Sequence, residues 1–283
     1  MQYVIFNPLA HNKTGLASTK SYLDGKIDGD FEYRDVTEIA DLGAFIGGLT
    51  ASDRVILAGG DGTVNKFINA LDATPACTID YIAVGSGNDF KNDIQTRGEL
   101  NGDFIRLNKY IENLPTVTVN GNTHKFINGI GYGIDGYCCE KGDEFKAKSD
   151  KPVNYTGIAV KGLLFHFKPR NATVTVDGKT LSFKKVWLAP TMKGKFYGGG
   201  MMVAPEQDRF AEDRTVSVVV WHGTGKLGTL MRFPKIFKGE HVKYTKMISI
   251  CKGTEVKVSF DKPTALQIDG ETVLGVTEYT VKA

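Results

Sequence analysis

No apolar run in the chain approaches the roughly 20 residues that a membrane-spanning helix needs, and the start, MQYVIFNPLAHNK, reads as an edge strand entering a loop rather than a leader. Cysteine is scarce: Cys77, Cys138, Cys139 and Cys251 form no CxxC pair, and two adjacent cysteines cannot easily chelate one tetrahedral ion together. The five histidines, at 11, 124, 166, 222 and 241, show no HExxH or other ligand spacing, which argues against a zinc enzyme. Only 9 prolines occur, and there is no repeat and no low-complexity linker. The net charge of +3 by itself gives no reason to expect a polyanionic partner such as nucleic acid. What these absences leave is an ordinary globular chain with reduced thiols, expected in the cytoplasm.

With 283 residues, 41% of them hydrophobic, the chain is long enough for two cores. Charge divides it unevenly. Residues 1–113 carry 10 Lys+Arg against 16 Asp+Glu, whereas residues 114–283 carry 25 against 16. The hydrophobic pattern changes at the same place. In the first part, short apolar runs at 3–6, 31–36, 54–57 and 81–84 read as strands, and SYLDGKI, EIADLGAFIGGL and TVNKFINALDA between them have helical spacing. Strand, helix, strand in this order predicts a doubly wound α/β layer over 1–113. From 114 onward the sequence alternates in strand fashion through PTVTVNG, NATVTVDGKTLSF, KVWLAP, RTVSVVVW, EVKVSF and ALQIDGE, with VNG and VDG as hairpin signals. This predicts a β-rich, antiparallel, sandwich-like second domain over 114–283, with helices near 154–167 and 226–237. The cleft between two such domains is the default ligand site.

The strongest local signal is LAGGDGTVN at 57–65, an apolar strand meeting three glycines and a carboxylate before a helix. Glycine lets the backbone turn tightly and bring several N–H groups against one ligand, and a helix N-terminus adds its dipole, so the loop suits phosphate. Thr63 is placed to cap that helix. One unit later, AVGSGNDF at 83–90 repeats the design with Gly85, Ser86, Asn88 and Asp89, and the opening loop Asn7, Pro8, Leu9, Ala10, His11 follows the first strand. Parallel strands deliver all three loops to one sheet edge, where open α/β folds bind ligands. Neither GxxxxGK[ST] nor GxGxxG is present. Near the end, QIDGE at 267–271 offers Asp269 and Glu271, which strand alternation would point to one face.

These segments, GGDGTVN, the NP loop, GSGNDF, NGIGYGID at 128–135, YGGGMMVAP at 197–205 and QIDGE, together resemble the diacylglycerol kinase catalytic family, the lipid kinases that include bacterial diacylglycerol kinases, sphingosine kinases and ceramide kinases. The resemblance runs over essentially the whole chain. It implies an ATP-binding α/β domain, a β-rich lipid-substrate domain of the NAD kinase/diacylglycerol kinase-like type, and phosphoryl transfer from ATP to a lipid hydroxyl. It assigns the ATP phosphates to Asn7, Pro8, Leu9, Ala10, His11, Thr37, Gly59, Gly60, Asp61, Gly62, Thr63, Val64, Asn65, Lys66, Gly85, Ser86 and Asn88, and Mg²⁺ to Asp61 and Asp89. Glu271 or Asp269 supplies the general base. A second, structural metal site maps onto Asp213 with the main chains of Phe210 and Thr215, although Arg214 stands where the family has glycine. Lys66 replaces a usual glutamate, and His11 with Asn12 replaces a small glycine. The acceptor is left open among diacylglycerol, which the resemblance favours, a monoacylglycerol, a sphingoid base, phosphatidylglycerol and a polyprenol. A catalytically silent nucleotide- or lipid-binding member and a related NAD kinase are the alternatives. A lipid substrate implies peripheral contact with a membrane surface, such as its inner face, and the interleaved cations and apolar residues of 226–243 fit such a contact as well as they fit an ordinary amphipathic core helix. Oligomeric state is open.

Overall fold

The computed structural model describes all residues except Ser86, Asn101 and Asp150, together with the side chains of His11 and Asn12. The chain forms two compact units, Met1–Leu114 and Pro115–Ala283.

The first unit runs β1 (Gln2–Phe6), α1 (Ala10–Lys13), α2 (Gly15–Leu23), β2 (Phe31–Asp35), α3 (Leu42–Gly47), β3 (Arg54–Gly59), α4 (Asp61–Ala70), β4 (Thr78–Ala83), α5 (Asp89–Thr96), β5 (Ile105–Arg106) and α6 (Asn108–Ile111). Its sheet has the order β2-β1-β3-β4-β5, parallel except for β5. The opening strand is therefore not an edge: β1 lies between β2 and β3, and β2 takes the edge. Strands β3 and β4 are apolar almost throughout because helical segments leave little of them to water, the signature of a parallel sheet. The exception is Asp80 in β4, buried but held by the guanidinium groups of Arg54 and Arg106, each at 2.7 Å. The helix expected over 21–27 ends earlier, at Leu23, since Gly25 takes a left-handed φ of 66°. That expected over 38–49 shrinks to six residues, started by Asp41, whose carboxylate accepts the Ala44 amide at 2.8 Å.

The second unit contains β6 (Thr116–Val119), β7 (Asn122–Lys125), β8 (Gly129–Tyr132), α7 (Ile134–Lys146), α8 (Tyr155–Lys161), β9 (Arg170–Val176), β10 (Lys179–Val186), β11 (Thr191–Met192), β12 (Phe196–Tyr197), β13 (Met201–Met202), β14 (Val216–Trp221), α9 (Lys226–Arg232), β15 (Ile248–Gly253), β16 (Glu255–Ile268) and β17 (Glu271–Lys282). A π-helical turn, Gly162–His166, extends α8, and a 3-10 turn, Phe233–Lys238, extends α9. The sheet follows β15-β14-β11-β8-β16-β17-β6-β7, and β9, carrying β10, joins along β16. Strand β16 serves two neighbours in succession: Val256 to Phe260 pair with β9, and Leu266 to Ile268 pair with β8. The change falls at Asp261, Lys262 and Pro263, where the register with β17 also slips. Proline has no amide hydrogen to give a ladder, so the strand bends there and redirects its partner. Behind the sheet, Tyr132 stacks on Phe260 with ring centroids 3.9 Å apart inside the largest apolar cluster. Both hairpin signals hold, with Asn120-Gly121 and Asp177-Gly178 at positive φ.

Candidate functional site: two glycine loops and a carboxylate hairpin

In the first unit, parallel strands bring the loops after β1, β2, β3 and β4 to one edge of the sheet. The decisive contact is between glycines. A β-carbon on Gly85 would strike the Gly60 Cα, so the loops after β3 and β4 touch through bare backbone that no other residue type allows. Asp61 fastens the same junction: its carboxylate accepts the amides of Asp89 at 2.8 Å and Phe90 at 2.9 Å, which puts a negative charge on the positive end of α5. Asn88, at φ 53°, closes its own loop by accepting from Gly85 N at 3.2 Å and donating to Gly85 O at 2.8 Å. The third loop joins through Asn7, whose amide donates to the Thr63 hydroxyl at 3.2 Å while its oxygen accepts the Leu9 amide.

Thr63 does not cap α4. The helix begins two residues earlier, behind Gly60, which has no side chain to offer, and Thr63 lies buried in its first turn as the acceptor for Asn7. Gly59 is needed beside it, because a β-carbon there would meet the Thr63 side chain. Val64 and Asn65 are buried; Lys66 is exposed on the next step of the helix. Pro8 and Ala10 lie in the opening loop and Leu9 is exposed. Gly62 sits in the first turn of α4. Thr37 follows β2, with its amide and hydroxyl both bonded to Asp35 at 2.8 and 2.7 Å. Ser86 and the His11 side chain fall outside the described residues. Two contributors were not anticipated. Gly15 opens α2 where a β-carbon would collide with the Asn7 carbonyl, and the buried Tyr81 hydroxyl donates to Gly59 O at 3.1 Å. Burial, with the charges of Asp61 and Asp89 behind it, holds the Tyr81 hydroxyl well above its usual range. Tyr81 is thus a permanent donor under the loop.

In the second unit, Asp269 and Glu271 do not share the face of one strand. Asp269 and Gly270, with φ 47° and 98°, are the two central residues of the hairpin between β16 and β17, the type I′ pattern, and Glu271 pairs with Ile268 at its mouth. Their side chains have different duties. The Asp269 carboxylate is buried and accepts three backbone amides, from Ile127 at 2.7 Å and from Asn128 and Gly129 at 2.9 Å. Gln267, also buried, braces the turn by accepting the Gly270 amide at 2.6 Å. Glu271 is exposed at the start of β17. The segment that Asp269 gathers is held from behind as well: buried Arg209 donates to Ile127 O at 3.1 Å, and the amides of Lys193 and Gly194 donate to Asn128 O.

Asp213, Phe210 and Thr215 lie on one turn before β14, with part of their hydrogen-bonding capacity already in use. One oxygen of Asp213 is occupied by the amide and hydroxyl of Thr215, at 3.1 and 3.0 Å, and the Thr215 carbonyl accepts from Gln207 at 2.9 Å. Buried Lys193 lies within reach of the same charges; burial first, then Arg209 and Arg214, hold its ammonium below the usual lysine value, and Asp208 and Asp213 partly offset them. Among the described residues no group of three or more His, Cys, Asp or Glu side chains is arranged to hold a metal ion.

One further buried carboxylate lies in this unit. Asp135, in the first turn of α7, points at the space left by Gly131, where a β-carbon would strike both it and Gln267. Tyr197 approaches it, but neither group reaches full hydrogen-bond geometry. Burial pushes the Asp135 carboxyl up to about 6, with Tyr197 and the amides of the first turn opposing.

The diacylglycerol kinase catalytic domain profile matches residues 2–119, and that of the YegS C-terminal NAD kinase beta sandwich-like domain matches residues 128–282. The chain belongs to the diacylglycerol kinase/YegS family of lipid kinases. Its relatives include a Bacillus subtilis protein named "Putative lipid kinase YtlR", 26% identical over 98% of this chain and 94% of that one. A diacylglycerol kinase of the same organism is 27% identical over 77% of this chain and 71% of its own length. Among solved structures, a "putative diacylglycerol kinase" from Bacillus anthracis strain Sterne superposes with a TM-score of 0.68 at 18% identity, covering 99% of this chain and 93% of that one, which shows the shared fold. As a lipid kinase of this family the chain transfers phosphate to a lipid hydroxyl. Among the described residues, no helix is long and apolar enough to cross a membrane.

Proposed function

We propose that the chain phosphorylates diacylglycerol, with ATP as donor and Mg²⁺ as its counter-ion, to give phosphatidic acid. The observation that supports this most is the Gly60–Gly85 contact with Asp61 across it. It joins two glycine loops into one backbone surface at the start of α4 and α5, a setting for an anion. Asn7, Pro8, Leu9, Ala10, Thr37, Gly59 to Lys66, Gly85 and Asn88 surround the phosphates in this reading. Asp61 and Asp89 both lie at that junction, and a pair of carboxylates fits Mg²⁺, which keeps several waters and takes one or two protein carboxylates. The metal supplies charge neutralisation at the phosphates. Glu271 takes the proton of the acceptor hydroxyl, because Asp269 spends its carboxylate on three amides and serves as the positioning residue for the hairpin that carries Glu271. The names of the relatives favour diacylglycerol as acceptor.

The test is a panel of mixed micelles containing diacylglycerol, monoacylglycerol, sphingosine, phosphatidylglycerol or undecaprenol, with ATP and Mg²⁺, the product identified by mass. Phosphatidic acid as the main product is expected. Phosphorylation of another lipid alone would replace the acceptor, and ATP binding without any product would favour a silent member.

A further inference from the structure

Among the described residues, three of the four most exposed large apolar side chains are Phe165, Leu227 and Met231, at 70%, 66% and 62% exposure. All three come from two packed elements of the second unit. Phe165 is in the π-turn after α8, where Leu163 on one side and Phe167 on the other are buried. Leu227 and Met231 are one helical turn apart on α9 and share a face, with Thr229 turned inward. The Lys226 ammonium donates to the Leu164 carbonyl at 2.8 Å and ties the two elements together. A core-facing helix would bury this stripe; here the inward positions are already filled and the stripe faces out.

The charge around it is predominantly positive. Residues 151–170 and 222–239 contain eight Lys and Arg and no Asp or Glu, and Lys161, Lys168 and Lys238 are exposed, while the exposed Lys235 pairs with Glu240 at 2.7 Å. An apolar centre with a predominantly cationic rim complements an anionic lipid surface, since apolar side chains enter the acyl boundary while cations remain among headgroups. A protein partner of ordinary composition has no such uniform negative field.

We infer that this face, formed by the α8 π-turn and α9, docks the enzyme onto anionic bilayers, with Phe165, Leu227 and Met231 as the inserted residues. The inference rests on the lipid-kinase reading for its purpose and deepens it by naming the surface. A cavity beside it has His166, Lys168 and Arg170 on its wall together with Leu274 and Gly275 of β17, the strand that begins at Glu271. The docked face and the strand carrying the proposed base therefore border one cavity.

The test is sedimentation of the full chain, without ATP, with vesicles of phosphatidylcholine alone and of an equal mixture of phosphatidylcholine and phosphatidylglycerol. Because no chemistry is involved, a chain that phosphorylated no lipid would still give an answer. The wild type is expected to pellet with the mixed vesicles and not with the neutral ones. The Phe165→Ser/Leu227→Ser/Met231→Ser variant should lose that binding with its melting temperature unchanged, all three side chains being exposed. The Lys161→Gln/Lys168→Gln/Lys238→Gln variant should bind roughly a hundredfold more weakly, about fivefold per cation removed. Equal binding by wild type and either variant, binding to neutral vesicles as strong as to anionic ones, or a dimer in sedimentation equilibrium that the apolar variant dissolves while vesicle binding is absent, would each overturn the inference.

Discussion

The Asp61 carboxylate holds the first turn of α5 by accepting the amides of both Asp89 and Phe90, so one residue of the loop after β3 fixes the loop after β4. Asn at 61 would keep one acceptor and turn an NH2 group toward amide donors. Asp61→Asn is expected to cost about 1–3 kcal/mol of stability and to weaken ATP binding, read by thermal unfolding with and without nucleotide. An unchanged melting temperature would mean that the tie contributes nothing.

Gly85 makes a sharper test of the junction, because its neighbour is the Gly60 backbone rather than a movable side chain. Gly85→Ala must push the two loops apart. A fall in ATP affinity of at least tenfold is expected, with a smaller loss of stability, measured by calorimetric titration. Gly223→Ala serves as the control: this glycine has open space around it at φ 72°, so it carries backbone strain without loop displacement and should leave affinity unchanged.

Two buried groups set opposing trends with pH. Burial lowers His241 to about 4, so between there and 6.5 the unfolded chain binds more protons, and stability falls as pH drops through that window. Asp135, raised from 3.8 to about 6, does the reverse: the folded chain binds more protons, and stability falls as pH rises from 3.8 to 6. The two offset each other in the wild type. Asp135→Asn removes one of them and should stabilise the protein at pH 8 by up to about 3 kcal/mol, while making its loss of stability on acidification steeper. Urea unfolding at pH 5 and pH 8 measures both.

The residues around Asp213 lead to a prediction about metal removal. With the Thr215 carbonyl and one Asp213 oxygen already bonded and Lys193, Arg209 and Arg214 close by, chelation should leave the melting temperature of the nucleotide-free protein unchanged. A chelator-induced drop of several degrees would show a structural ion there after all.

Much of the architecture is legible in the sequence because it is written locally. Continuous apolar runs mark the buried parallel strands, and Asn120-Gly121 and Asp177-Gly178 mark hairpins by their need for positive φ. What depends on packing at a distance is not. Helix α7 is not among the expected helices, and Gly136 and Gly142 lower helical propensity, yet a β-carbon at Gly136 would meet the Ala265 carbonyl and one at Gly142 the Tyr155 ring, so close packing selected glycine against propensity. The position of β1 inside the sheet depends on strand order, which no local pattern carries. In the candidate site, the glycine loops are visible as a motif, but the division of labour in QIDGE is not: alternation treats Asp269 and Glu271 alike, and only the turn, with the three amides that converge from 127–129, separates them.

A paired comparison tests that division of labour between Asp269 and Glu271. Turnover on the lipid acceptor and the melting temperature are measured together for Glu271→Gln and Asp269→Asn. Glu271→Gln should lower turnover by roughly 10²- to 10⁴-fold with the melting temperature unchanged, whereas Asp269→Asn should lower the melting temperature by several degrees through the loss of charge-assisted bonds. Full turnover by Glu271→Gln, or an Asp269→Asn protein as stable as wild type and inactive, would contradict the account.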